Sequence, residues 1–323
     1  MIIPIFGLKN DMKTIQEASK AFLFHCRYEK KLSPKTLKAY TTDSDQFLNF
    51  LGKEKSQEEI GLIDKHILKE FLHHLESLKP KTLKRKIATI KAMFNFLEFE
   101  DEIIVNPFRK LKIKIKEPKM LPSVMSLLEV GKILNLASVL MKKIIHLKSY
   151  DYLECLRHLA VLEILFATGI RVSEMCYLKC EDIDLESGLI RIMGKGSRQR
   201  SIQICHPEVL KILRTYHSLV QKRFNSTEYF FINRLGKRLS DQSVRFMIEK
   251  YSVRAGICKR ITPHTFRHSF ATLLLEQNVD IKYIQTLLGH SSISTTQIYT
   301  HVNSIKQREI LLHHHPRQFI QIN

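Results

Sequence analysis

Apolar residues recur every three or four positions along the N-terminal part of the chain, which predicts helices between about residues 14 and 100. Ser33-Pro34 is typical of a helix start, because serine is a favoured N-cap and proline fits the first helical position. Asp64 is expected to cap a third helix, and a fourth is predicted from Thr82 to Leu97. The N-terminal part is therefore predicted to be a small helical domain.

The C-terminal part mixes helical periodicity with two short β-branched runs. Leu189–Ile192 and Ser201–Ile204 flank the sequence GKGSRQR, which predicts a β-hairpin with Gly194 and Gly196 in the turn. Helices are predicted elsewhere, at 123–147, 157–168, Glu208–Phe224, Asp241–Ala255, Pro263–Gln277, Asp280–Leu288 and from about 294 to 312. The predicted fold class is mainly α with a small antiparallel β-sheet, the C-terminal domain being α+β.

Apolar residues and lysines alternate between Pro107 and Pro122. Strict alternation has the period of an edge strand, but the closing prolines and the flanking helices favour an extended linker. We therefore predict an N-terminal domain at 1–105, a linker at 106–120 and a C-terminal domain at 121–323. Lys112 and Lys114 of the linker are expected to lie along a phosphate backbone.

The formal net charge of +20 points to a class of partner. The electrostatic field of so basic a protein attracts a polyanion, most commonly nucleic acid. A generally basic protein without such a partner is the alternative. Residues 1–120 carry 24 basic and 16 acidic side chains (+8), and residues 121–323 carry 28 and 16 (+12). Because both parts are basic, we expect a two-domain, C-shaped clamp that encircles DNA.

The cysteines and the hydropathy indicate the compartment. The six cysteines are dispersed, no His or Cys pair completes a zinc set, and free thiols suit a reducing cytoplasm. No apolar run approaches the length of a membrane span. The opening MIIPIFGLKNDMK lacks a basic leader and a long apolar core, so a signal peptide is not expected. We expect a cytoplasmic protein without a metal.

Two pairs of charged residues have spacings that suit anion chemistry. His264 and Arg267 follow Thr262-Pro263, so they share a helical face near a helix N-terminus, where backbone N–H groups favour an anion. Arg171 precedes Glu174 by three residues, and the carboxylate could orient the guanidinium through a charge-assisted hydrogen bond. Taken alone, either pair could be an ordinary surface or structural feature.

Three further residues complete the set of candidates. Lys195 lies at the tip of the predicted hairpin, His290 follows a helix that Gly289 should end, and Tyr299 lies nine residues further on. Each has a simpler interpretation, as a solvated turn lysine, a loop histidine or a packed tyrosine. Taken together, however, fixed positive charge followed by one tyrosine suits attack of a phenol on a phosphodiester.

The combination resembles the tyrosine recombinase family, the class of phage integrases and chromosome-dimer resolvases. The stretches that carry the resemblance are ATGIRVSEM, MGKGSRQR, TPHTFRHSFAT and LLGHSSISTTQIYTHV. SPKTLKAYTTDSDQFLNFL is similar to the start of the family's N-terminal core-binding (SAM-like) domain, and residues from about Leu121 resemble its catalytic domain. The resemblance covers nearly the whole chain.

The resemblance implies a role for each candidate. Arg171 and Arg267 correspond to two arginines that clamp the non-bridging oxygens of the scissile phosphate, a task that suits the planar guanidinium fork. Tyr299 corresponds to the nucleophile that forms a 3′-phosphotyrosyl link. His264 corresponds to the proton-transfer histidine. Lys195 corresponds to the lysine that protonates the departing 5′ oxygen, and His290 to a histidine that hydrogen-bonds the phosphate.

The resemblance also implies that the energy of the cut phosphodiester is kept in a covalent bond between protein and DNA. No cofactor, metal or ATP is therefore expected. In the family, four protomers exchange strands of two specific DNA sites through a four-way junction, with each C-terminal helix docked on a neighbour. Here Ile305, Ile310, Leu311 and Leu312 could serve that contact, or could fold back on their own domain. Candidate DNA-binding residues are Lys35, Lys38, Lys84, Arg85, Lys112, Lys114, Arg198 and Arg200.

Other functions remain open at this point. A catalytically silent DNA-binding regulator would share the fold, and a type IB topoisomerase would share the chemistry. The resemblance fits both chromosome-dimer resolution and integration or excision of a mobile element, with or without an accessory regulator such as a DNA translocase. The segment around 138–156 is longer than the usual connection in the family, and it could extend a DNA-facing helix, contact a regulator or be inert surface.

Overall fold

The computed structural model describes residues 14–116, 123–146, 149–193, 199–289 and 308–322. The chain divides into two units, Met1–Met120 and Leu121–Asn323. Each unit has a hydrophobic core of its own. Most described residues are helical, and the described strands form one small antiparallel sheet, so the predicted fold class is confirmed.

The N-terminal unit is built from four helices: α1 (Ile15–Tyr28), α2 (Pro34–Ser56), α3 (Lys65–His74) and α4 (Pro80–Phe99). Ser33 and Asp64 cap α2 and α3 through their side chains, as predicted. The fourth helix begins at Pro80, two residues earlier than predicted, because proline occupies its first turn and does not interrupt it. Aromatic rings fill the core, among them Phe22, Phe47, Phe71 and Phe94.

A buried polar network ties α2 to α4. Asp43 is 1% exposed and accepts hydrogen bonds from Lys86 Nζ at 3.1 Å and Thr89 Oγ1 at 2.9 Å. Arg85 also donates to this carboxylate, and Lys86 reaches Gln46. Because Lys86 is itself only 5% exposed, the two buried charges depend on each other.

Residues 111–116 follow a 3-10 turn at Pro107–Lys110 and contain neither helix nor strand. Leu111, Ile113 and Ile115 pack against the N-terminal core, whereas Lys112 and Lys114 are exposed. The alternation seen in the sequence therefore separates a packed side from a solvated side without any strand partner.

The C-terminal unit surrounds one buried helix. Its helices are α5 (Leu127–Lys142), α6 (Tyr150–Thr168), α7 (Val172–Cys176), α8 (Pro207–Phe224), α9 (Asp241–Arg254), α10 (Pro263–Glu276) and α11 (Ile281–Leu288). Helix α6 packs against α5, α8, α9 and α10, and every residue from Leu159 to Thr168 is buried. The apolar run in the sequence is therefore the centre of this core. In the segment around 138–156, residues 138–142 form the end of α5 and residues 150–156 the start of α6, which Ser149 caps.

The sheet contains β1 (Ile183–Asp184), β2 (Leu189–Met193) and β3 (Gln199–Gln203) in that order, all antiparallel. Leu189 pairs with Gln203 and Met193 with Gln199, which confirms that the two β-branched runs pair. The predicted turn glycines, Gly194 and Gly196, lie outside the described residues. Strand β1 was not predicted, because two residues are too short for a period to be seen.

The C-terminal tail packs on its own unit. Residues 308–314 are helical, and a 3-10 turn follows at Pro316–Phe319. The buried Arg317 forms a bidentate ion pair with the buried Glu163 of α6, with both N···O distances 2.8 Å. Leu311 is 1% exposed, so in the single chain this residue packs within its own unit, whereas Leu312 is 41% exposed.

Three consecutive histidines near a C-terminus are expected to be solvated, and for His313–His315 this expectation is wrong at the last member. His315 is 5% exposed; its Nε2 donates to Ala167 O at 2.8 Å, and its Nδ1 accepts from the Arg317 N–H at 2.9 Å. Burial lowers the pKa of His315 to about 4, despite the opposing Ala167 carbonyl. The turn at Pro316 brings His315 to α6, a long-range packing that the local sequence does not reveal.

Replacing Asp43 tests the buried network of the N-terminal unit. Asp43→Ala leaves Lys86 buried without its carboxylate, so we expect a loss of about 3–5 kcal/mol in the free energy of unfolding. Asp45→Ala, at an exposed position of the same helix, is the matched control and should change stability by less than about 0.5 kcal/mol. Urea unfolding followed by circular dichroism measures both, and equal losses would contradict the role given to Asp43.

Candidate active site

Arg171 lies in the tight connection between α6 and α7. Helix α6 ends at Gly169, and Arg171 is the N-cap of α7. Glu174 turns back to this position: it accepts from the Arg171 backbone N–H at 3.0 Å and from Arg171 Nη1 at 2.7 Å. The predicted hydrogen bond between this arginine and glutamate is therefore present, and it fixes the guanidinium beside the start of α7.

Gly169 makes the connection possible. Its φ is +59°, in the left-handed region that glycine enters without a steric penalty. A Cβ at this position would lie 2.6 Å from Phe270 Cδ1 and 2.8 Å from Leu288 Cδ2. The absence of a side chain thus lets α10 and α11 approach the end of α6 closely.

Arg267 is held at the same place from α10, whose N-cap is Thr262 with Pro263 at the first position, as predicted. The residue is 6% exposed, and its guanidinium donates to Gly169 O at 2.8 Å and to Leu288 O at 2.5 Å. Burial, followed by the charges of Arg171 and Arg200, lowers its pKa to about 10. It therefore remains protonated at neutral pH.

Three consecutive carbonyl groups at the end of α11 receive three arginines. Leu287 O accepts from Arg200 Nε at 3.2 Å, Leu288 O from Arg267, and Gly289 O from Arg171 Nη2 at 3.1 Å. A helix C-terminus leaves such carbonyls unpaired and carries partial negative charge, so it stabilises cations. The end of α11 thus gathers guanidinium groups that would otherwise repel one another.

Glu174 is the carboxylate at the centre of this cluster. Besides Arg171, it accepts from Arg200 Nη1 at 2.9 Å and Nη2 at 2.7 Å, and its side chain is 7% exposed. Burial alone would raise its pKa, but hydrogen bonds and charge from Arg200, and then from Arg171, lower it to about 2. Among these four side chains, three positive charges face one negative charge, so the site keeps a net positive charge.

His264 lies three residues before Arg267, on the exposed part of the first turn of α10. Partial burial, followed by the charges of Arg245, His268, Arg267 and Arg171, lowers the pKa of its imidazole. The ring is therefore neutral at neutral pH and can accept a proton.

The remaining predicted site residues fall into two groups. Lys195, Arg198, His290 and Tyr299 lie outside the described residues. Among the predicted DNA contacts, Lys35, Lys38, Lys84, Lys112 and Lys114 are exposed, and Arg85 shares the Asp43 carboxylate. Within the described ranges no three His, Cys, Asp or Glu side chains gather as metal ligands, and no helix is long and apolar enough to cross a membrane.

Comparison with known proteins decides the family. Residues 136–305 match the model of the phage integrase family, and residues 20–101 match the phage integrase N-terminal SAM-like domain. A tyrosine recombinase of Agathobacter rectalis is 44% identical over 308 residues, which cover 95% of this chain and 99% of that protein. The chain belongs to the phage integrase family of tyrosine recombinases.

Two further likenesses agree with this. The tyrosine recombinase XerC of Thermodesulfovibrio yellowstonii is 35% identical over 302 residues, 91% of this chain and 95% of that protein. A lambda integrase tetramer bound to a Holliday junction shares the fold with a TM-score of 0.66 at 18% identity, over 88% of this chain and 77% of that one. This tyrosine recombinase is thus a site-specific DNA recombination enzyme.

Sequence reasoning missed how Arg200 is used in the recombinase. Arg200 was grouped with the candidate DNA contacts of the basic stretch GKGSRQR; in the structure its side chain is 14% exposed and bonds to Glu174 and Leu287 O. Only the tertiary structure, which brings α7 and β3 together, places residues 174 and 200 in contact. The one local signal is the strand period, which places Arg200 on the opposite face of β3 from its neighbours Gln199 and Ser201.

The depressed pKa of Glu174 predicts a pH dependence of stability. Because the folded value, about 2, lies below the ordinary 4.5, the contribution is complete above pH 4.5 and is lost as the pH falls towards 2. Glu174→Gln should therefore be less stable than the wild type by about 3 kcal/mol near pH 7, and the difference should shrink below pH 4.5. Urea unfolding between pH 7 and pH 3 measures it.

Glu186→Gln, at an exposed position of the same unit, is the control and should show no such pH-dependent difference. A difference between wild type and Glu174→Gln that stayed constant over this pH range would contradict the charge-based account.

Proposed function

We propose that this recombinase cuts and rejoins DNA through a 3′-phosphotyrosyl intermediate formed by Tyr299. The observation that carries the proposal is the pair of guanidiniums bound to the neighbouring carbonyls of Leu288 and Gly289. Two arginines fixed on adjacent carbonyls can each donate to a non-bridging oxygen of one phosphodiester. Family membership supports the placement of the nucleophile at Tyr299.

The two arginines act on the charge that develops during phosphoryl transfer. Arg267 is buried and pre-oriented, whereas the Arg171 side chain is 37% exposed and so accessible to a phosphate. Since carbonyls already fix both side chains and Glu174 also holds Arg171, little reorganisation accompanies the reaction. Stabilising the transition state more than the bound substrate is what raises the rate.

Protons are transferred by neighbouring groups in this proposal. His264, neutral near pH 7, is suited to accept the phenol proton as Tyr299 attacks. Lys195 protonates the departing 5′ oxygen, and His290 hydrogen-bonds a phosphate oxygen. The phosphodiester's energy is kept in the phosphotyrosyl bond, so the proposed reaction uses neither metal nor ATP.

The assembly proposed is a homotetramer on two specific DNA sites. Residues 1–105 serve as the core-binding domain, 106–120 as the linker and 121–323 as the catalytic domain. The basic charge of both units supports a clamp around DNA, and the lambda integrase tetramer on a junction supports four protomers. Each C-terminal tail is proposed to dock on a neighbouring protomer in this tetramer.

The biological setting proposed is the cytoplasm. There the enzyme would resolve chromosome dimers or integrate and excise a mobile element. For chromosome-dimer resolution, an accessory regulator such as a DNA translocase would take part. The 35% identity to a XerC recombinase supports the first role.

Covalent trapping tests the nucleophile. End-labelled fragments of the source organism's genomic DNA, incubated with enzyme without metal or ATP, should yield a denaturant-resistant, protease-sensitive adduct whose DNA sequence identifies the site. Tyr299→Phe should retain the same DNA on filters but form no adduct, because the phenylalanine ring has no oxygen to attack phosphorus.

An adduct of wild-type yield with Tyr299→Phe would overturn the assignment of the nucleophile. Absence of any wild-type adduct would favour the catalytically silent regulator. Relaxation of supercoiled plasmid lacking the recovered site would favour the topoisomerase.

Replacing the clamp arginines separates transition-state stabilisation from binding. Arg171→Ala and Arg267→Ala should each slow adduct formation by about 100- to 1,000-fold, with only a modest change in DNA binding. Single-turnover rates on the recovered site and filter binding on the same DNA measure the two quantities. Equal losses in both would mean that the arginines contact phosphate only in the ground state.

A further inference from the structure

Arg200 joins three segments of the catalytic unit at one point. It projects from β3, it forms a bidentate ion pair with Glu174 of α7, and its Nε donates to Leu287 O at the end of α11. The packing is close, since a Cβ on Gly289 would lie 3.0 Å from Arg200 Cδ. At 14% side-chain exposure it is far less accessible than Arg171.

The carboxylate of Glu174 is shared between two arginines. Its Oε1 accepts from Arg171 Nη1 at 2.7 Å and from Arg200 Nη1 at 2.9 Å. Its Oε2 accepts from the Arg171 backbone N–H at 3.0 Å and from Arg200 Nη2 at 2.7 Å. Arg200 therefore supplies a positive charge against the same carboxylate that orients Arg171.

This sharing has an electrostatic consequence for Arg171. If Glu174 were paired with Arg171 alone, its negative charge would offset the positive charge needed at the phosphate. With Arg200 on the same carboxylate, Glu174 can orient Arg171 while Arg200 compensates its charge. In a partly buried site such compensation is effective, because the interaction is little screened by water.

We propose that Arg200 is a positioning residue for recombination: it neutralises and fixes Glu174, so that Arg171 stays oriented with its charge available to the scissile phosphate. The proposal rests on the proposed function of Arg171 as a phosphate clamp. It assigns Arg200 to the interior of the site and not to DNA contact.

The test compares Arg200→Met and Arg200→Lys with the wild type in adduct formation on end-labelled genomic fragments of the source organism. Arg200→Met should slow adduct formation by on the order of 100-fold per folded molecule, with DNA retention on filters unchanged. Arg200→Lys keeps the charge but loses the fork, so it should recover roughly tenfold of that loss. Equal reductions in retention and rate would instead indicate a DNA contact and overturn the proposal.

Arg214→Met is the matched control. Arg214 of α8 donates to Leu185 O at 2.9 and 2.7 Å, so its replacement also removes one positive charge and arginine–carbonyl bonds from this unit. Its rate of adduct formation should equal that of the wild type. A rate for Arg200→Met equal to that of Arg214→Met would overturn the proposal.

A double variant separates charge compensation from simple loss of structure. Arg200→Met/Glu174→Gln removes one positive and one negative charge together, which restores the net charge of the cluster. It should therefore form adduct about tenfold faster than Arg200→Met, although it lacks more hydrogen bonds. A double variant as slow as Arg200→Met or slower would contradict compensation, because accumulated structural damage only lowers the rate.

A spectroscopic measurement keeps this inference separate from the proposed function. In the full chain without DNA, the guanidinium N–H signals of Arg171 should exchange with solvent faster in Arg200→Met than in wild type or Arg214→Met. Unchanged exchange would overturn the positioning role whatever the activity. If the wild type forms no adduct but the Arg171 signals still exchange faster in Arg200→Met, the positioning of Arg171 is upheld while the proposed function fails.

Discussion

The site depends on confining several like charges in a space that is partly closed to water. Arg171, Arg200 and Arg267 meet at the end of α11, where Leu287, Leu288 and Gly289 present their carbonyl groups. Helix C-terminal carbonyls and the Glu174 carboxylate offset the repulsion without cancelling it, so a positive charge remains for an anion. Burial, followed by the neighbouring arginines, lowers the pKa of Arg267, whereas Arg200 and Arg171 lower the pKa of Glu174 against the effect of its burial.

The surrounding core fixes the positions of the elements that carry these groups. Helix α6 is buried along most of its length. Phe270 and Leu288 pack so closely on Gly169 at its end that a residue with a side chain would clash with them. The tail closes the same helix from another side through Glu163–Arg317 and Ala167–His315. The packing of α6 and the geometry of the arginines are therefore coupled, because the tail covers α6 and Arg171 follows directly after the end of that helix.

Local signals in the sequence located most of the elements. Ser33, Asp64 and Thr262 cap helices where expected, and the two β-branched runs pair as a hairpin. The Arg171–Glu174 pair could also be predicted locally, since two residues three positions apart in a helical turn lie close together. The partners of Arg200 and His315 were not predicted, because they are 26 and 148 residues away in sequence. No periodicity encodes a contact of that separation.

By itself, the sequence determined the helical and strand pattern, the basic character of both parts and the chemical identity of the candidate groups, because each follows from side-chain type and short-range spacing. The tertiary structure alone decided which arginines share Glu174, which carbonyls receive them and which histidine is buried. Those outcomes depend on how α6, β3, α10 and α11 pack, and packing sets the distances, the burial and so the charge state of each group.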